Sequence, residues 1–272
     1  MDNRKIVFLD IDGTLVNSEK KITPATKAAL MRIQKEGVKV AIASGRPSKG
    51  VVPFADELEL DKFGGFIMPF NGCNIINYQT KEVVFENTLS MDTVKRAYET
   101  AKEYGLEMIT YKGDVILSET DDNPYLLIEA RINKMDVEKV KNVYEAIEEP
   151  PVKCLILGDG DYLGKIESEI KEKIGAGANV FRSEPFFIEV VPEGLDKAAA
   201  IAELIKKTGI KREDTIAFGD GFNDVSMVDY AGIGVAMSNG CDKIKEVADR
   251  IAPDNNSDGV AAVINDIFPE AR

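Results

Sequence analysis

The sequence predicts an α/β fold, a doubly wound parallel sheet with an α+β domain inserted into it, and three features carry that prediction. Short apolar runs end in small and polar residues, as in KIVFLD, VKVAIAS and TIAFGD. Stretches with one apolar helical face lie between such runs, the alternation expected of strands wound into a parallel sheet. A middle region of different texture, from residue 84 to residue 190, interrupts the alternation. Residues 1–83 and 191–272 are thus expected to form one core domain and residues 84–190 an insertion.

KIVFL is a buried strand by its continuous apolar character, and the DG that follows is a turn signal. Thr23 before Pro24 marks the start of a helix that runs through AALMRIQKE and closes at Gly37. VKVAIAS is a second buried strand and Phe66 to Met68 a third, which makes the opening βαβαβ. In the middle region, LEMITYKGDVILSE reads as a hairpin turning at Lys112-Gly113-Asp114, and KCLILG and FFIEVV read as further strands. Met91 to Tyr104 and Asp136 to Ile147 read as helices. Past Pro192 the first texture returns, with a helix from Lys197 to Lys207 whose apolar face is expected to hold Ala198, Ile201, Ala202 and Ile205. TIAFG, GIGVAM and DRIAP follow as strands, with helices at Asp242 to Val247 and Val260 to Ile267.

Composition removes whole classes of chemistry. With no histidine among 272 residues there is no Ser-His-Asp or Cys-His catalysis, no phosphohistidine and no imidazole-bound zinc or iron. The net charge of −13 without a long basic run argues against nucleic acid and anionic membrane surfaces as partners. No apolar segment is long enough to span a bilayer, and the N-terminus lacks a signal-peptide pattern, so a cytoplasmic location is expected. Cys73, Cys154 and Cys241 are far apart and form no CxxC, as reduced and mostly buried thiols would. What remains is chemistry on carboxylates, lysine, hydroxyls or a bound ion, and carboxylate oxygens suit a hard cation, chiefly Mg2+.

Three strand ends carry polar residues: Asp10 with Asp12, Ser44 with Gly45, and Asp220 with Asn223 and Asp224. The carboxyl edge of a parallel sheet is where ligands bind, and a spacing of two returns Asp10 and Asp12 to the same side of an extended chain. Each group alone has an ordinary explanation. Asp12 suits a DG turn, Ser44 a helix cap, Lys197 a solvated helix surface and Arg46 a surface ion pair. Together, nucleophile-grade carboxylates, a hydroxyl, a lysine and a further acidic pair are what phosphoryl transfer through an aspartyl phosphate needs.

DIDGT, the Ser44 strand end, Lys197 and GDGFND resemble, in order, the four motifs of the haloacid dehalogenase-like hydrolase superfamily. The insertion after the second motif is similar to that of its Cof-type branch, subclass IIB, a group of small-molecule phosphatases. The resemblance implies a Rossmann-like core and a cap that sets specificity. It also implies Asp10 as nucleophile, Asp12 as general acid and base, and Mg2+ held by the Asp10 carboxylate, the Asp12 backbone carbonyl and Asp220. Ser44, Lys197, Asn223 and the backbone N–H groups near Ile11 and Gly45 would hold phosphate oxygens, while Asp224 would orient metal-bound water or Lys197. Arg46 receives no assignment. An acid must be protonated near neutral pH, so Asp12 is expected to be raised by Asp10 and the substrate phosphate and lowered by Mg2+, a conflict lessened if only its backbone holds the metal, with Thr14 hydrogen-bonding inside the turn.

The expected activity is Mg2+-dependent hydrolysis of small phosphate monoesters, sugar phosphates foremost, with a small phosphorylated metabolite as the partner and no protein partner. Two other readings stay open: a phosphomannomutase-like phosphosugar mutase, and a noncatalytic protein that binds a phosphometabolite.

Overall fold

The structure is a computed structural model and describes residues 5–269. The chain divides into two compact units: one runs through Phe85 and resumes at Leu195, and the other is Glu86–Gly194.

The first unit opens with β1 (Ile6–Leu9), α1 (Pro24–Lys35), β2 (Lys39–Ala43), α2 (Ser48–Glu57), α3 (Leu60–Phe63), β3 (Phe66–Met68), β4 (Asn74–Asn77) and β5 (Val83–Glu86). The inserted unit contains α4 (Met91–Glu103), β6 (Glu107–Lys112), β7 (Val115–Ser118), α5 (Pro124–Asn133), β8 (Asp136–Lys139), α6 (Val143–Ala146), β9 (Cys154–Leu157), α7 (Gly160–Ile174), β10 (Ala178–Glu184) and β11 (Phe187–Pro192). The first unit then closes with α8 (Lys197–Thr208), β12 (Thr215–Gly219), α9 (Val225–Tyr230), β13 (Ile233–Met237), α10 (Asp242–Val247), β14 (Arg250–Ala252) and α11 (Gly259–Ile267).

The core sheet runs β14-β13-β12-β1-β2-β3-β4-β5, parallel from β14 to β3, with β4 antiparallel to β3. Alternate residues of β1 enter opposite apolar clusters: Val7 and Leu9 pack on one face, Ile6 and Phe8 on the other. A strand covered on both faces must be apolar throughout, which is why KIVFL shows no alternation. Each such side chain removed from water contributes about 1.5–3 kcal/mol. Thr23 caps α1 by accepting from the Thr26 amide at 3.2 Å, and Pro24 fills the first helical position, where its missing N–H costs nothing.

In the inserted unit the sheet order is β10-β11-β9-β6-β7-β8, antiparallel except where β7 meets β8. Here the sequence reading needs correction. The stretch from Asp136 to Ile147 is not one helix, because residues 136–139 add a parallel edge strand to β7 and only Val143–Ala146 is helical. Val137, Val140 and Val143 do recur at helical spacing, but main-chain pairing with Val115–Ser118 overrides that local signal. Among the described residues no helix is long and apolar enough to cross a membrane.

The register decides where the polar strand ends lie. Leu9 is opposite both Ile42 and Phe218, so Asp10, Ser44 and Asp220 leave three adjacent parallel strands at one edge. The chain departs from β1 to β2 on one side and returns as β12 on the other, which makes this edge a topological switch point.

Candidate active site

Lys197 is fully buried and spends its three donors on Asp10 Oδ1 at 2.7 Å, Asp224 Oδ1 at 2.5 Å and the Ala43 carbonyl at 2.9 Å. The solvated-surface reading is therefore excluded. The buried stripe of α8 is Lys197, Ala200, Ile201, Leu204 and Ile205, rotated from the expected one, and Ala198 and Ala202 are only half-buried. The signal was present in the sequence: Lys197 stands at position i of an apolar pattern at i+3, i+4, i+7 and i+8. Burial works against the ammonium, but Asp10 and Asp224 outweigh it and hold its pKa above the ordinary value.

Asp224 uses its second oxygen to accept from the amides of Asp220 at 3.1 Å and Gly221 at 2.9 Å. It thus fixes both the lysine and the backbone that carries Asp220. Thr14 does not close its own turn; its hydroxyl crosses to Asp220 Oδ1 at 2.8 Å. Gly13 lies at φ +84°, and a Cβ there would fall 2.2 Å from Asp220 Oδ2, so only glycine leaves room for that carboxylate.

Carboxylate oxygens of Asp10, Asp220 and Asp224 lie within 4.8 Å of one another. Three carboxylates against one ammonium leave two negative charges in a buried space. Burial and this crowding of charge both act on Asp10 and Asp220. Burial and then the Asp224 charge push Asp10 up to about 7, against the opposing pull of Lys197. Burial pushes Asp220 up to about 6, with the Asp224 charge adding to it and the Thr14 hydrogen bond opposing. Hard oxygen donors with two uncompensated negative charges, in a cradle that a side chain at Gly13 would fill, fit a divalent cation such as Mg2+. Asp224 is less available as a ligand, because both its oxygens already accept hydrogen bonds.

Asp12 departs from expectation. Its carboxylate turns to Arg46, with Nε to Oδ2 and Nη2 to Oδ1 both at 2.7 Å, and to Lys20 Nζ, also at 2.7 Å from Oδ1. Burial pushes its pKa up, but hydrogen bonds from Arg46 and Lys20, with their charges, outweigh this and hold it below the ordinary value. The expected rise toward neutrality is thus reversed, since the carboxylate is held by two cations. Neither Arg46 nor Lys20 was assigned from sequence. An ion pair between residues 34 apart has no local signature, although the turn at Lys20 is close enough in sequence to reach back.

Ser44 is buried; its hydroxyl accepts from the Arg46 amide at 3.2 Å and its own amide donates to the Met68 carbonyl at 3.0 Å. It is joined to Ala43, whose carbonyl receives Lys197. The Ile11 carbonyl accepts from the amides of Thr14 at 3.4 Å and Val16 at 3.1 Å. Asn223 is exposed, and its amide donates to Asn71 Oδ1 at 2.9 Å, while Asn71 borders Gly45. Asn71 was also absent from the sequence reading.

Residues 7–264 match the family model of haloacid dehalogenase-like hydrolases. The chain belongs to that family. It is similar to a solved haloacid dehalogenase-like hydrolase from Bacteroides thetaiotaomicron, at 44% identity and a TM-score of 0.93, covering 97% of this chain and 100% of that one. The subclass IIB sugar phosphatase BT4131 is 28% identical with a TM-score of 0.82, over 97% and 98% of the two chains. The 5-amino-6-(5-phospho-D-ribitylamino)uracil phosphatase YitU of Bacillus subtilis (strain 168) is 29% identical over 97% of each chain. The superfamily resemblance read from the four motifs is borne out, as is the predicted fold class.

Proposed function

We propose that this family member is a cytoplasmic, Mg2+-dependent phosphatase of small phosphate monoesters, with sugar phosphates as its preferred class and Asp10 as the residue phosphorylated in turnover. The observation that carries the reading is the buried Asp10–Lys197–Asp224 cluster. A buried lysine between two carboxylates is costly unless it performs a task, and here it fixes one oxygen of Asp10 while leaving the other to react.

In this mechanism Asp10 Oδ2 attacks phosphorus as the bond to the leaving alkoxide breaks, and Asp12 gives its proton to that alkoxide. Asp12 then takes a proton from the water that attacks the aspartyl phosphate, which releases inorganic phosphate and restores the Asp10 carboxylate and the Asp12 carboxylic acid. Ser44, Asn223 and the amides near Ile11 and Gly45 bind the phosphate oxygens. Lys197 holds Asp10 in place and offsets negative charge. Mg2+, held by Asp10, Asp220 and the Asp12 carbonyl, would supply charge neutralisation between anionic nucleophile and anionic substrate. Asp12 becomes an acid only after leaving Arg46 and Lys20, so an arriving phosphate that competes for those cations would free it.

The preference for sugar phosphates rests on two similar proteins, one named a sugar phosphatase and the other named for a phosphoribityl compound. We assign the choice of leaving group to the inserted unit, whose position after the second motif matches the Cof-type arrangement. The test is a phosphate-release screen with Mg2+ over hexose and pentose phosphates, nucleotides and a phosphopeptide. Sugar phosphates should show the highest kcat/KM. Isomerised sugar phosphate without free phosphate would establish a mutase instead, and tight binding without turnover a noncatalytic protein.

A further inference from the structure

Asn71 lies outside all four motifs, yet the structure places it between two of them. Phe70 and Asn71 both adopt left-handed backbone conformations, at φ +53° and +56°. Asparagine tolerates that region and phenylalanine resists it, so two in succession persist only where the surroundings hold them. Here the surroundings are the second motif. The Phe70 amide donates to the Arg46 carbonyl at 3.0 Å and the Asn71 amide to the Ser44 carbonyl at 2.8 Å, the two carbonyls that flank Gly45. The Asn71 side chain then lies against Gly45, where an added Cβ would be 3.4 Å from both its amide atoms.

From that position Asn71 Oδ1 accepts one amide hydrogen of Asn223 at 2.9 Å. A side-chain amide has two donor hydrogens, so this bond fixes the plane of the Asn223 amide and leaves the second hydrogen free for an incoming oxygen. Asn223 is exposed, and this bond ties its side chain to the second motif. We propose that Asn71 is a positioning residue of the phosphate site, orienting the Asn223 donor and tying it to the Ser44–Arg46 loop before phosphate arrives. The inference rests on the phosphatase reading, in which Asn223 and the Gly45 backbone bind phosphate. Its value is preorganisation, since a donor already aimed loses less freedom on binding.

The test is a double-mutant cycle with Asn71→Gly and Asn223→Ala. Glycine accepts the left-handed backbone without strain and keeps the amide bond to Ser44, so this variant removes the side chain while sparing the fold. Two quantities are measured for the four proteins: kcat and KM for p-nitrophenyl phosphate, and the affinity for inorganic phosphate by calorimetry. Each single variant should lose about tenfold in phosphate affinity and kcat/KM, chiefly through KM, with no fall in thermal stability, and the double variant should be no worse than Asn223→Ala alone. Losses that multiply in the double variant, or wild-type phosphate affinity in Asn71→Gly, would overturn the inference while leaving the phosphatase reading intact. A wild-type protein that neither binds inorganic phosphate nor hydrolyses any ester would overturn both.

Discussion

The guanidinium of Arg46 forks onto both carboxylate oxygens of Asp12, each contact at 2.7 Å, and so holds in its charged form the residue expected to donate a proton. The activity of an enzyme whose general acid is Asp12 falls as pH rises through that acid's pKa. Arg46 lowers this pKa, so Arg46→Gln should move the falling limb of the kcat/KM profile upward by about one pH unit, the lower end of the effect of a close opposite charge. A pH–rate profile of the variant with a limb unmoved from wild type would remove Asp12 from the role of acid or Arg46 from control of it.

Asp10→Asn should abolish turnover, by at least about a thousandfold, and leave no phosphoryl group on the protein. Rapid acid quench with a labelled substrate, followed by peptide mapping, locates the phosphoryl group in the wild-type enzyme. Its recovery on any side chain other than Asp10 would exclude the proposed nucleophile.

Lys197→Met should cost both activity and stability. The substitution leaves Asp10 and Asp224 buried without their shared cation, and breaking a buried pair costs about 3–5 kcal/mol. Urea unfolding near neutral pH measures this directly. A variant as stable as wild type would mean that the carboxylates take up protons or water at little expense.

The titration of Asp10 and Asp220 gives the effect of pH on cation binding its sign. Both folded-state values, about 7 and about 6, lie above the ordinary carboxylate value of 3.8, so the folded protein holds protons that the unfolded chain has released. Their stabilising contribution is complete below about pH 4 and declines as pH rises through 6 and 7. A divalent cation must displace those protons. The increase in melting temperature produced by Mg2+ should therefore be larger at pH 7.5 than at pH 5.0. Equal shifts at the two pH values would place the cation elsewhere.

Much of this molecule was legible before folding. KIVFL reads as a strand buried on both faces, Thr23-Pro24 as the start of a helix, and the absence of histidine leaves carboxylates, lysine, hydroxyls or a bound ion to carry the chemistry. These inferences succeed because apolar patterning and helix capping act over a few residues. The stretch from Asp136 to Ile147 shows their limit, since its spacing suits a helix and its pairing partner lies in β7.

Tertiary structure alone decided the partner of each charge. Lys197 meets Asp10 across 187 residues and Thr14 meets Asp220 across 206, distances closed by the order in which the strands enter the sheet. The pairing of Asp12 with Arg46 across 34 residues, and of Asn71 with Asn223 across 152 residues, likewise follows from which loops the register of β1, β2, β3 and β12 brings to one edge. The sequence alone determined which chemical groups the site has at its disposal, because composition and local pattern are properties of the chain. Their protonation, orientation and pairing were decided by the fold, because electrostatic and hydrogen-bond energies depend on distances that only the packed sheet sets.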